Sequence, residues 1–188
     1  MKKRILVLLP TLLSACLPGG DSCPTLPGGA PYCLQTAPQH FATLQKTSIR
    51  FGSQQLTLLT RVESDVKGLR FVGLTPFGQT IMSVSWENGR VHAELPPALQ
   101  GKLDPAVLLA LIQIAQWPAE QVRAGLGPHW NMTETPNRRQ LQLATQDETM
   151  LDIRWEGSPP YARLTISAPA NGFQMEATRL DDGDEDKP

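Results

Sequence analysis

Apolar and polar positions alternate through most of the chain, and a period of two predicts strands. Residues 41–51 read as the first. In residues 54–63, Leu56, Leu58, Thr60 and Val62 share one face. Leu69 and Phe71 share a face of the next strand, and in residues 80–86 Met82, Val84 and Trp86 are set apart from Ser83 and Ser85. Glu87-Asn88-Gly89-Arg90 reads as a hairpin turn, because Asn-Gly tolerates positive φ at both central positions. Val91, Ala93 and Leu95 answer on the returning strand. Strands resume at 140–144, 150–156, 161–168 and 172–180. There Leu141 with Leu143, Leu151 with Ile153 and Trp155, Leu164 with Ile166, and Phe173 with Met175 each fall on one face.

The period changes once. Asp104-Pro105 offers a helix cap followed by proline at the first position. Residues 106–116, AVLLALIQIAQ, place Val107, Leu108, Leu111, Ile112 and Ala115 on one side, with Leu109 and Ile114 on another. A helix apolar nearly all round is a buried helix, and this one is too short to span a bilayer. Trp117-Pro118 ends it. Pro118 opens a second helix through Ala124, stopped by Gly125 and Gly127. About eight to eleven antiparallel strands with a helical insertion predict a sheet that curls and needs its inner face covered. The expected architecture is mainly β with an α insertion: a curved antiparallel sheet, or open half-barrel, with helices in its mouth. Such a body either fills with side chains or keeps an apolar hollow.

The start of the chain changes the picture. Met1 to Cys16, MKKRILVLLPTLLSAC, has Lys2, Lys3 and Arg4 before an apolar run, which is the pattern of a secretory signal peptide. Leu13-Ser14-Ala15-Cys16 resembles the bacterial lipobox. That resemblance implies cleavage before Cys16 and N-acyl and S-diacylglycerol lipid on that residue. The alternative is an ordinary signal with an incidental cysteine. Each buried methylene contributes about 0.8 kcal/mol, so the three chains of a lipoprotein cysteine would hold it firmly at a bilayer. Leu17, where an Asp would favour inner-membrane retention, points by the same resemblance to the periplasmic face of the outer membrane.

Cys23 and Cys33 remain as an even pair, and an oxidising compartment favours a disulfide between them over a zinc site. Residues 16–38 carry Pro18, Pro24, Pro27, Pro31 and Pro38 with Gly19, Gly20, Gly28 and Gly29, which reads as a tether. The domain is then expected over 39–180, with 181–188 as an acidic, solvated tail.

At 188 residues the chain suits one domain. Its formal charge of −1 gives no concentrated basic surface for nucleic acid. With residues 1–15 removed, 14 Lys and Arg face 18 Asp and Glu. Enzyme signals are weak. His40, His92 and His129 have no metal-ligand spacing, and no Gly-x-Ser-x-Gly elbow occurs. Glu63 with Asp65, and Asp147 with Glu148, read as charged turn residues before they read as an acid/base pair. Asn131-Met132-Thr133 matches a glycosylation sequon that has no meaning in a bacterial lipoprotein. Trp117 and Trp130 flank the helical insertion and read as packing or rim.

Leu74-Thr75-Pro76-Phe77-Gly78-Gln79-Thr80 resembles the Pro-hydrophobic-Gly loop of the LolA/LolB family, and LolB in particular. The downstream order of strand, hairpin, apolar helix, Pro, second helix, Gly-Leu-Gly and strands is similar too, over about residues 40–180. The chain also resembles LolB-like lipoproteins encoded beside aryl-polyene lipid biosynthesis genes. The resemblance implies a half-barrel whose hollow holds acyl chains, with no cofactor and no catalytic residue. It places Phe77, between Pro76 and Gly78, as a membrane-insertion residue; the alternative is that Phe77 folds back onto the core. Candidate cavity residues are Leu56, Leu58, Leu69, Phe71, Met82, Val84, Trp86, Leu141, Leu151, Ile153, Trp155, Ile166 and Met175, with Leu108, Leu111 and Ile112 from the helix. Each could equally be ordinary core.

The expected function is therefore an outer-membrane lipoprotein that binds acyl chains of a lipid or lipoprotein and helps insert them. Its partners would be the inner leaflet of the outer membrane, the cargo and a periplasmic carrier, with the protein acting as a monomer. The competing expectation is a scaffold lipoprotein with a filled core that binds a protein through its rim. The Cys23–Cys33 pair, the proline-rich segment and the acidic tail depart from the LolB pattern and leave the cargo open.

Overall fold

The computed structural model describes residues 22–38 and 40–180. The signal segment, Cys16 and the acidic tail lie outside the described residues. Ten strands form one antiparallel sheet: β1 (Phe41–Phe51), β2 (Gln54–Asp65), β3 (Gly68–Leu74), β4 (Thr80–Glu87), β5 (Arg90–Glu94), β6 (Trp130–Thr135), β7 (Arg138–Leu143), β8 (Thr149–Glu156), β9 (Arg163–Ala168) and β10 (Phe173–Arg179). Their order across the sheet is β5-β4-β3-β2-β1-β10-β9-β8-β7-β6. Two five-strand meanders are thus joined where β1 pairs with β10. The sheet curves but stays open, with β5 and β6 as unjoined edges, so it is not a closed barrel.

The alternation fixes which face is buried. In antiparallel pairing, residues directly opposite share a face. Ile49 lies opposite Leu56 and Met175, Met175 opposite Ile166, and Ile166 opposite Ile153. Phe71 lies between Val62 and Val84, and Leu141 opposite Leu151. One contiguous apolar face results. At the β4–β5 turn Asn88 and Gly89 both have positive φ, as the Asn-Gly pair requires.

That face is covered by α1 (Pro105–Gln116), with α2 (Ala119–Gly125) following. Asp104 caps α1 by accepting from the Ala106 and Val107 amides, which satisfies donors a helix start otherwise leaves open. Every α1 residue from Leu108 to Gln116 is buried. One side of the helix meets β3, β4, β5 and β9.

The other side meets the segment expected to be a tether. From residue 22 to 38 the chain instead packs into the body, and Leu26, Ala30, Tyr32 and Leu34 belong to the core. Burying each large apolar side chain contributes about 1.5–3 kcal/mol, so the proline and glycine of this segment shape a loop and do not keep it solvated. Trp130–Thr135 was not anticipated as a strand. It is an edge strand with one fully buried residue, Trp130, and so carries little alternation.

Candidate functional site

Antiparallel order brings the β1–β2, β3–β4 and β9–β10 turns, the end of β5 and the start of α1 to one end of the sheet. The β3–β4 turn holds Pro76, Phe77 and Gly78. The Thr75 amide donates to the Gln79 carbonyl at 2.8 Å, the Gly78 amide to the Thr75 carbonyl at 2.9 Å, and the Gln79 amide to Thr75 Oγ1 at 3.1 Å. Gly78 takes φ +79°, which favours glycine. The closed turn holds Phe77 outward at 92 % exposure. Among the described large hydrophobic residues that are exposed, which also include Leu44, Val66, Ile81 and Leu180, Phe77 is the most exposed and the one aromatic ring. Phe77 does not fold back onto the core.

The cavity candidates are placed differently. Leu58, Leu69, Phe71, Met82, Val84, Trp86, Leu108, Leu111, Ile112, Leu141, Leu151, Ile153, Trp155, Ile166 and Met175 are buried, and Leu56 is half-buried against them. They belong to one buried cluster with α1 and the 22–38 segment, and Leu108 and Leu111 also border the cleft described next. The middle of the face is also partly polar. Thr43, Gln45 and Thr47 on β1, and Thr60 and Ser64 on β2, are buried there, with the Thr47 and Thr60 hydroxyls 2.5 Å apart. Alternation alone does not reveal this polar stripe, because buried threonine has the strand propensity of an apolar residue.

Open space lies at the margin. A cleft of about 480 Å³ runs between residues 25–29, the α1 start and the β1–β2 and β9–β10 ends. Of the candidate cavity residues it touches only Leu108 and Leu111; Leu26, Phe51, Leu103, Val107 and Phe173 complete its apolar wall, with Lys102, Asp104 and Asn171 at its rim. The volume falls within the roughly 300–1,000 Å³ of small-molecule sites. A second cleft, of about 280 Å³, lies on the other side of Gly28 and Gly29, against His129, Leu143 and Ala144.

Residues 24–32 separate the two clefts. Cys23 and Cys33 are disulfide-bonded. Within this loop the Leu26 amide donates to the Ala30 carbonyl and the Tyr32 amide to the Pro24 carbonyl; just outside it, the Leu34 amide donates to the Ser22 carbonyl. Its bonds to the body are few. The Cys33 amide donates to the Gly125 carbonyl, Trp130 Nε1 to the Pro31 carbonyl, and Ser22 Oγ to the Gly89 carbonyl. Gln113 of α1 binds it by side chain alone: Oε1 accepts from the Tyr32 hydroxyl and the Gln35 amide, and Nε2 donates to the Gln35 carbonyl. Burial raises the Tyr32 phenol well above its ordinary range, and the Arg139 charge opposes that shift.

Arg139, which no motif marks, is 2 % exposed on β7. It donates to the Ile114 and Trp117 carbonyls at the end of α1, pairs with Glu134 at 2.7 Å and lies 5.6 Å from the Trp155 ring centre. It fastens the helix to the sheet by satisfying carbonyls that a helix end leaves open.

Among the described residues no group of three or more His, Cys, Asp or Glu is arranged to hold a metal ion, and no helix is long and apolar enough to cross a membrane. Fold and site together define an open, curved antiparallel sheet packed by a buried helix, with apolar clefts at one end and an exposed aromatic tip at the same end. Residues 42–181 match the model of a family described as a protein of unknown function, DUF3261, and the chain belongs to that family. No curated protein matches it.

Proposed function

We propose that this chain is a lipid-anchored protein of the outer membrane's periplasmic face that takes up an acyl chain of a lipid or lipoprotein and helps place it in the bilayer, as the likeness to LolB implies. The observation that carries this reading is Phe77, 92 % exposed on a rigid turn. It stands at the same end of the sheet as the apolar cleft of about 480 Å³. A ring there enters the interfacial region of a bilayer, and the cleft at that end of the sheet receives part of a chain. The lipobox-like Leu13-Ser14-Ala15-Cys16 supplies the address. On this reading the acyl site is the cleft at the end of the sheet, bordered by Leu108 and Leu111.

Phe77→Glu tests the reading. The side chain contacts little, so stability should change by less than about 0.5 kcal/mol. Burying a phenyl group contributes about 1.5–3 kcal/mol, so in a Cys16→Ser background, which lacks the acyl anchor, vesicle association should fall about ten- to hundredfold. Equal association by variant and wild type in a flotation assay would refute it.

The filled core favours a second reading, a scaffold lipoprotein that binds a protein through its rim. Native mass spectrometry of protein extracted in mild detergent separates the two. Bound acyl lipid supports the first; a lipid-free chain in a stoichiometric protein complex supports the second.

A further inference from the structure

We infer that the disulfide-closed hairpin of residues 23–33 is a displaceable plug, and that an acyl chain binds in the trough it vacates. This rests on the acyl-handling reading above. Three observations carry it. First, the two clefts both border the turn at Gly28 and Gly29, so moving that turn joins them into one groove from the start of α1 to His129 and Leu143. Second, the hairpin is self-contained. Most of its backbone bonds close internally and the disulfide holds its ends, so it leaves as a unit at the cost of one backbone bond, Cys33 amide to Gly125 carbonyl, and the Trp130 bond to the Pro31 carbonyl. Its one strand-like link to the body is a single bridge, Tyr32 to Leu126. Third, the hairpin already lays Leu26 and Tyr32 into the space proposed for the chain. Of the bonds to buried Gln113 only the one its Oε1 accepts from the Tyr32 hydroxyl belongs to the hairpin; those to the Gln35 amide and carbonyl lie beyond Cys33 and hold Gln113 in place when the hairpin leaves. The family match begins at residue 42, beyond the hairpin; the matched part alone leaves this side of α1 uncovered.

Gly125 gives a means of opening the plug. A Cβ there would sit 2.5 Å from the Cys33 carbonyl oxygen and 2.5 Å from the Tyr32 ring. Alanine suits a helix better than glycine, so Gly125→Ala works against the docked hairpin and not against α2. The experiment reconstitutes the lipidated protein in phosphatidylethanolamine–phosphatidylglycerol vesicles doped with a phospholipid carrying a diazirine in its acyl chain. Illumination, peptide mapping and hydrogen exchange follow. Adducts are expected on peptides containing Gln113 and Leu126, with at least threefold more in Gly125→Ala and faster exchange of the Cys33 amide when lipid is present. Trp130→Phe, which removes the bond to the Pro31 carbonyl together with part of the ring packed beside it, should act in the same direction and serves if Gly125→Ala does not fold. Adducts confined to the Phe51 and Leu103 peptides, with the Cys33 amide equally protected, would overturn the plug and leave acyl handling intact. No adducts on any peptide would overturn both.

Discussion

Replacing Arg139 by Met tests how the helix is held in the sheet. The guanidinium is 2 % exposed and spans the Ile114 and Trp117 carbonyls, the Glu134 carboxylate and the face of Trp155. Methionine keeps most of the volume and removes every donor. Two carbonyls at the end of α1 then lose charge-assisted bonds, each contributing about 1.5–3 kcal/mol. The ring contact adds about 1 kcal/mol. Glu134 is 31 % exposed and rehydrates, so its released charge costs little. Added apolar burial offsets part of the loss, leaving about 3–4 kcal/mol. Measured by urea unfolding, with m of about 2 kcal/mol/M, the midpoint should fall by about 1.5–2 M at unchanged m. Glu134→Gln should move it far less, because the two helix carbonyls keep their donor. A midpoint shift under about 0.5 M for Arg139→Met, with m unchanged, would refute the view that this side chain fastens α1 to the sheet.

Two further predictions concern the hairpin. Replacing both Cys23 and Cys33 by Ser should cost about 2–3 kcal/mol from the closed loop, seen as a fall in Tm of about 5–10 °C by calorimetry; an unchanged Tm would show that the loop is held by packing alone. Tyr32 gives a pH signature. In the unfolded chain its phenol ionises near pH 10, whereas burial holds the folded phenol protonated well above that. Its contribution is therefore complete below about pH 10 and lost as pH rises toward the folded value. Tyr32→Phe should flatten the decline in urea midpoint between about pH 10 and 11. Tyr161, also raised chiefly by burial, leaves a residual slope; an identical decline in both proteins would sink the assignment.

The alternation of apolar residues was enough to place nine of the ten strands and the buried face of most, because a period of two admits one register against a covered face; it did not show that the edge strand β5 leaves Ala93 exposed and buries no residue. It also placed α1, whose Asp104-Pro105 start and all-round apolar surface are local signals. Pro76 and Gly78 marked a turn at Phe77, but whether the ring points outward or folds back was left open until the structure showed it exposed. What covers α1 on its second side was not legible. Residues 22–38 have the composition of a linker, and only contacts some 80 to 100 positions away, Tyr32 to Gln113 and Pro31 to Trp130, turn them into core. Arg139 reads as a surface cation until β7 carries it beneath the end of α1. Sequence thus set the sheet, the helix and the turn through near-neighbour periodicity. Whether the curved face stays empty depends on how distant segments fill one volume, and that packing only the tertiary structure decides.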